Sequence, residues 1–137
     1  MNPVLVDANV LVAAISQDSI SYAAVQRELS APGRQLILPA LCVAEATYLI
    51  ERRFGPLIEA QFLAGLSYTT VIAPEPADWA RIAELVRQYA DFPLGGADAS
   101  VVALAEKLDI DTILTLDRRH FAAVRPRHCT AFTLLPE

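Results

Sequence analysis

The chain has 137 residues, of which 54% are hydrophobic and 20% charged, and its mean hydropathy is +0.36. That excludes intrinsic disorder, which needs low hydropathy and high net charge, and two cysteines cannot staple a disulfide scaffold. A formal charge of −5 and a pI of about 5.0 argue against a protein that coats DNA.

After Pro3, the apolar run Val4-Leu5-Val6 predicts a short buried strand. Asn9 to Gln17 reads as a helix. Ser21 to Leu29 reads as a second, ended by Pro32-Gly33. Gln35 to Leu38 is another short strand, and Pro39 stands where the first turn of a helix tolerates it, so Ala40 to Phe54 is helical. Gly55 stops that helix, and Pro56 starts another to about Leu66. Tyr68 to Ile72 is β-rich. Pro74 and Pro76 open a long helix, about Ala77 to Tyr89, and Gly95-Gly96 precede one from Ala97 to Leu108. Thr112 to Leu116 and Ala131 to Leu135 are the last strands. Short apolar strands alternating with amphipathic helices imply a single α/β domain over residues 1–137: a three-layer fold with a central parallel sheet and helices on both faces. No repeat or linker divides it.

The longest uncharged stretch, Ala60 to Pro74, carries Gln61, Gly65, Ser67, Thr69 and Thr70, too short and too polar for a span of about 20 apolar residues. The first basic side chain is Arg27, so no cationic leader of a secretory signal is visible. The expectation is a cytoplasmic protein, away from membranes, with Cys42 and Cys129 as reduced, buried thiols.

In parallel sheets, ligands bind beyond the carboxyl ends of the strands. Asp7 directly follows the first strand and Asp117 follows the strand ending at Leu116. Asp98 lies in the first turn of the helix that feeds that same strand, so it reaches the same edge. Singly, each has an ordinary explanation as a helix cap, a dipole partner or a turn residue. Their joint arrival at one edge weakens those explanations. Glu45 sits mid-helix with Leu41, Cys42, Tyr48 and Leu49 as its i±3 and i±4 neighbours, none able to neutralise it. A buried carboxylate there must protonate, pair with a distant arginine or bind metal, unless it lies at the margin of the buried face. Clustered carboxylates suit hard cations such as Mg²⁺, which take one or two carboxylates plus waters and substrate phosphates. Two such ions about 4 Å apart can activate water and stabilise a leaving oxygen in phosphodiester hydrolysis. His120, His128 and Cys129 fit no zinc spacing.

From Arg118 to His128 there are four arginines, two histidines and no acid. Arg118 and Arg119 follow Asp117 at the active edge and are candidate phosphate contacts, the alternative being a solvated turn.

Four stretches resemble the PIN domain, particularly the small toxins of bacterial VapBC toxin–antitoxin pairs: Val6-Asp7-Ala8-Asn9-Val10-Leu11; Leu38-Pro39 through Glu45; Asp98-Ala99-Ser100-Val101-Val102-Ala103-Leu104-Ala105; and Thr115-Leu116-Asp117-Arg118-Arg119-His120-Phe121. They run in order over nearly the whole chain. The resemblance implies a five-stranded parallel sheet, a Mg²⁺- or Mn²⁺-dependent endoribonuclease, and Asp7, Glu45, Asp98 and Asp117 as the catalytic, metal-binding quartet. Asn9 stands where many members have Ser or Thr and is expected to support the first acid or a metal water. The resemblance further implies an RNA substrate, a cognate VapB-like antitoxin and a homodimer.

Other classes fit less well. No Gly-x-Gly-x-x-Gly follows the first strand, against a dinucleotide enzyme. A phosphoacceptor receiver domain would need an acid pair after the first strand and a lysine at a late strand end, whereas Asp7 stands alone and the only lysine, Lys107, lies within a helix. A non-catalytic PIN-fold RNA-binding or scaffold module is opposed by the complete quartet.

Overall fold

The computed structural model describes residues 1–137. Five strands, β1 (Asn2–Val6), β2 (Arg34–Pro39), β3 (Thr70–Ile72), β4 (Thr112–Leu114) and β5 (Thr133–Leu135), form one sheet in the order β3-β2-β1-β4-β5. Every neighbouring pair is parallel. Seven helices cover the two faces: α1 (Ala8–Ile15), α2 (Tyr22–Leu29), α3 (Ala40–Phe54), α4 (Pro56–Gly65), α5 (Asp78–Gln88), α6 (Gly96–Leu108) and α7 (Arg118–Ala123).

The central strand shows why the sheet is covered twice. Val4, Leu5 and Val6 are consecutive, so their side chains alternate between faces, yet all three are buried. Only cover on both sides does that, and it accounts for an uninterrupted apolar run in place of an alternating one. One hydrophobic cluster of 29 buried residues extends from these strands into α1, α3, α5 and α6. No helix is long and apolar enough to cross a membrane.

The expected elements are present, with differences at some ends; the last strand, for one, starts at Thr133 and not at the expected Ala131. Tyr68 belongs to a 3₁₀ turn, Leu66–Tyr68, and the strand starts only at Thr70. β4 stops at Leu114: the Thr115 N–H still donates to Leu135 O at 2.8 Å, but Leu116 and Asp117 leave the ladder and turn their N–H groups to Asn9 and Thr115. Residues 118–123 form α7, a helix too short to show a period in sequence. Tertiary contacts hold it instead: Phe121 is buried, and Arg118 Nη1 donates to the carbonyls of Leu134 (2.9 Å) and Pro136 (3.0 Å). Cys42 is buried as expected, but Cys129 is only partly so, because it lies in the surface segment between α7 and β5.

β1 lies between β2, which follows it in sequence, and β4, which arrives from the far end of the chain. The chain therefore leaves β1 in one direction and returns on its other side. That reversal makes the carboxyl ends of β1 and β4 the place where α/β sheets form a crevice and bind ligands.

Candidate functional site

Asp7 is the first residue past β1 and is 3% exposed. Its backbone N–H donates to Leu114 O at 2.9 Å, which locks the end of β1 to β4. Its carboxylate is held on both sides. Oδ1 accepts from the Ala8 N–H at 2.8 Å and from the Cys42 thiol at 3.7 Å; Oδ2 accepts from the Thr115 hydroxyl at 2.8 Å. Asp7 is thus the N-cap of α1 as well as a member of the site. Burial pushes its pKa up, against the opposing effect of the Thr115, Ala8 and Cys42 hydrogen bonds, with the Asp117 charge raising it further. Burial also pushes the Cys42 thiol up, with the Asp7 charge adding to it, so Cys42 stays protonated and donates.

The antiparallel run of α6 back from β4 brings Asp98, in its first turn, to the same edge. Burial and then the Asp7 charge push Asp98 up to about 6, while His120 pulls the other way and Glu45 and Asp117 raise it further. Glu45 projects from the second turn of α3. It is exposed, which corrects the expectation of a buried carboxylate: the buried stripe of α3 is Cys42, Ala46 and Ile50, and Glu45 lies one residue off it, at the rim of the crevice. Its pKa is still raised, by partial desolvation and by Asp7. Asp117 follows the free end of β4, where its N–H donates to the Thr115 hydroxyl at 3.0 Å. The same hydroxyl donates to Asp7, so Thr115 ties two of the acids together.

The four acids, drawn from segments up to 110 residues apart, therefore feel one another's charge. No arginine or lysine forms an ion pair with any of them. Their one basic neighbour is His120, with Nδ1 2.6 Å from Asp117 Oδ2 and 3.7 Å from Asp98 Oδ2. A carboxylate can only accept, so Nδ1 carries the hydrogen toward Asp117.

Asn9 has a role in ordering the site. Its Oδ1 accepts the Leu116 N–H at 3.0 Å, which fixes the segment carrying Asp117. The two candidate arginines also part company. Arg118 is committed to the Leu134 and Pro136 carbonyls, whereas Arg119 lies over the Phe92 ring with its guanidinium 5.7 Å from the centroid. Thr115, Cys42 and His120 are site residues that the sequence reading did not single out. Thr115 and His120 both lie within three residues of Asp117, which was the available signal; for Cys42, which reads as an ordinary core thiol, there was none.

The donor set is all oxygen and is crowded with like charge, which suits a hard divalent cation. No three His, Cys, Asp or Glu side chains are placed to grip one ion together. The arrangement fits a cation that keeps much of its water shell, as Mg²⁺ does.

Comparison with known proteins agrees with the fold and extends it. The family model described as the PIN domain matches residues 4–125. The chain is 34% identical over 135 residues to ribonuclease VapC26 of Mycobacterium tuberculosis, covering 96% of this chain and 99% of that protein. Among solved structures, M. tuberculosis VapC20, a sarcin-ricin loop cleaving toxin, superposes with a TM-score of 0.79 at 18% identity, over 88% of this chain and 94% of the other. VapBC2 of Rickettsia felis, bound to a promoter DNA fragment, superposes with a TM-score of 0.71 at 18% identity, over 98% and 99%.

Proposed function

The chain belongs to the PIN domain family, and on that premise we propose that it is the toxin of a VapBC-type pair, an endoribonuclease that hydrolyses RNA phosphodiester bonds with Mg²⁺ or Mn²⁺. One observation carries the reading: Asp7, Glu45, Asp98 and Asp117 meet at the reversal point of the sheet with their charges unpaired by any arginine or lysine. Mutual repulsion of this kind is a cost that a structural role does not explain.

Asp7 and Asp98 would hold the principal cation directly, and Asp117 would help directly or through a water. Glu45, at the rim, would hold a second ion or orient the attacking water. When bound, the cation lowers the pKa of a water and offsets the charge of the phosphate. The chain supplies the positioning. Thr115 and Cys42 fix the Asp7 carboxylate from its two sides, so it cannot rotate away. His120 steadies Asp117, and Asn9 steadies the segment bearing it. Arg119, free of any acid or carbonyl, is the better candidate to meet a substrate phosphate.

A small antitoxin is the expected partner, and α4 offers it a surface. All its residues are at least partly exposed, Leu57 at 79% and Leu63 at 45% among them, although the helix is strongly apolar. Ile58 and Phe62 of α4 line a groove with Ile15 and Tyr22. Trp79 and Val86 of α5 and Leu108 of α6 are further exposed apolar side chains, available for a homodimer.

The test is RNA cleavage by the purified protein with Mg²⁺ or Mn²⁺ and with EDTA, followed by mapping of the cut ends. Cleavage that depends on the added ion is the expected result. Activity that survives EDTA would remove the metal mechanism, and the absence of cleavage with any RNA and either ion would remove the nuclease.

A further inference from the structure

The acids account for the chemistry at a phosphodiester but not for what holds the neighbouring nucleotide. Phe92 lies in the segment joining α5 to α6 and is only partly buried. The His120 ring meets it edge-on, with centroids 5.4 Å apart and planes at 70°. The Arg119 guanidinium lies over the ring at 5.7 Å. The same His120 reaches Asp117 at 2.6 Å and Asp98 at 3.7 Å. A single imidazole thus joins the aromatic ring to the acid site.

We propose that Phe92, Arg119 and His120 form a stacking platform for one unpaired RNA base beside the scissile phosphate, with Arg119 also meeting the adjoining phosphate. The proposal rests on the ribonuclease reading above. Three features support it. Aromatic rings and guanidinium groups are the two surfaces on which proteins stack unpaired RNA bases, and here the guanidinium carbon sits 5.7 Å from the ring centroid. Arg119 is exposed, and no carboxylate claims it, so its donors remain available to a phosphate. The adjacent Arg118 shows the contrast, since its guanidinium is spent on two carbonyls of the same chain. His120 fixes the distance between platform and acids, so a base stacked there puts its own phosphate within reach of Asp98 and Asp117. Every base has a π-face, so the platform selects unpaired over paired RNA more than one base over another.

Two measurements test it. In steady-state cleavage of a short single-stranded RNA, Phe92→Leu is expected to raise KM about tenfold with kcat nearly unchanged, and Phe92→Trp to restore KM. In a cleavage-blocked Asp98→Asn background, 2-aminopurine is placed at successive positions of the same RNA. Quenching at one position, lost with Phe92→Leu and kept with Phe92→Trp, supports the platform. If wild-type protein cleaves RNA and Phe92→Leu leaves both KM and quenching unchanged, the platform is overturned while the nuclease stands. If Phe92→Leu lowers the melting temperature and Phe92→Trp restores neither KM nor quenching, Phe92 is a packing residue and the platform is likewise overturned. If wild-type protein cleaves nothing, the nuclease reading fails and the quenching alone decides the platform.

Discussion

Two acid-rich regions of this molecule are built on opposite principles. Between α5, α6 and the segment after α7, Asp78, Glu84 and Glu106 each have a basic partner. Arg81 makes a two-pronged contact with Glu106, at 2.8 and 2.9 Å, and also binds Glu84. Glu106 accepts the Arg127 N–H, and the Arg127 guanidinium returns to Glu84. Lys107 bridges Asp78 and Glu75. Hydrogen bonds from Arg81 and the Arg127 N–H, outweighing the opposing effect of burial, pull Glu106 below the usual carboxylate range, and the Glu75 backbone N–H and Lys107 do the same for Asp78. At the crevice the directions reverse: Asp7, Glu45 and Asp98 are all raised. One region uses its carboxylates to hold helices together. The other keeps them short of cations, at a cost in stability, and so leaves them available to one from solution.

The largest test of that contrast is a pair of isosteric substitutions. Asp7→Asn is expected to cut RNA cleavage by about a hundredfold or more, by analogy with the loss of a preorganised electrostatic group. Glu106→Gln should leave the specific activity of the folded protein alone and lower its stability by about 1–3 kcal/mol, since it weakens charge-assisted hydrogen bonds at a side chain only 10% exposed. Cleavage assays and denaturant melts on both proteins check this. Equal losses of activity would erase the distinction between the regions.

The next effect is linkage to a metal. A divalent ion at a hundredfold excess over its dissociation constant should stabilise the wild-type fold by about 2.7 kcal/mol. Asp98→Asn should remove most of that response while leaving the metal-free protein as stable or more so near pH 7, because it relieves repulsion. Melting with and without Mn²⁺ reads both quantities. A destabilised metal-free variant with an intact response would make Asp98 a helix-start residue.

The pH dependence should carry opposite signs in the two regions. Asp98 moves from its ordinary 3.8 up to about 6, so the metal-free native state binds more protons than the unfolded chain across that interval. Stability linked to it is present below about 3.8 and is lost as pH rises through about 6. Asp7 and Glu45 act in the same direction. For the lowered Glu106 and Asp78, stability is present above their ordinary 4.5 and 3.8 and is lost as pH falls through their folded values. Melting from pH 3.5 to 7, without metal, should show Asp98→Asn flattening the decline toward neutrality and Glu106→Gln flattening the loss in acid. A parallel response of both variants would contradict the assignment.

The smallest effects separate adjacent arginines. Arg119→Ala should reduce the salt dependence of RNA binding by about one counterion with little change in melting temperature. Arg118→Ala should do the reverse, lowering stability by about 1 kcal/mol through loss of its two carbonyl contacts. Binding titrations at several salt concentrations, set beside thermal melts, distinguish them.

Much of this was legible in the residue order, because the signals are local. Consecutive buried Val4, Leu5 and Val6 announce a strand covered on both faces, and Pro39, Gly55, Pro56 and Gly95 punctuate the helices close to where they begin and end. The acids Asp7, Asp98 and Asp117 could be placed at one edge from chain direction alone. The strand order, the exposure of Glu45, the helix at residues 118–123, the tie from Asn9 to Leu116 and the different duties of Arg118 and Arg119 could not. Each depends on which distant group fills the neighbouring space: Thr115 reaches Asp7 across 108 residues, and Cys42 reaches it across 35. Periodicity and turn chemistry act over a few bonds and so are written in the sequence, whereas a hydrogen-bond partner is chosen only once the sheet has brought the ends of β1 and β4 together.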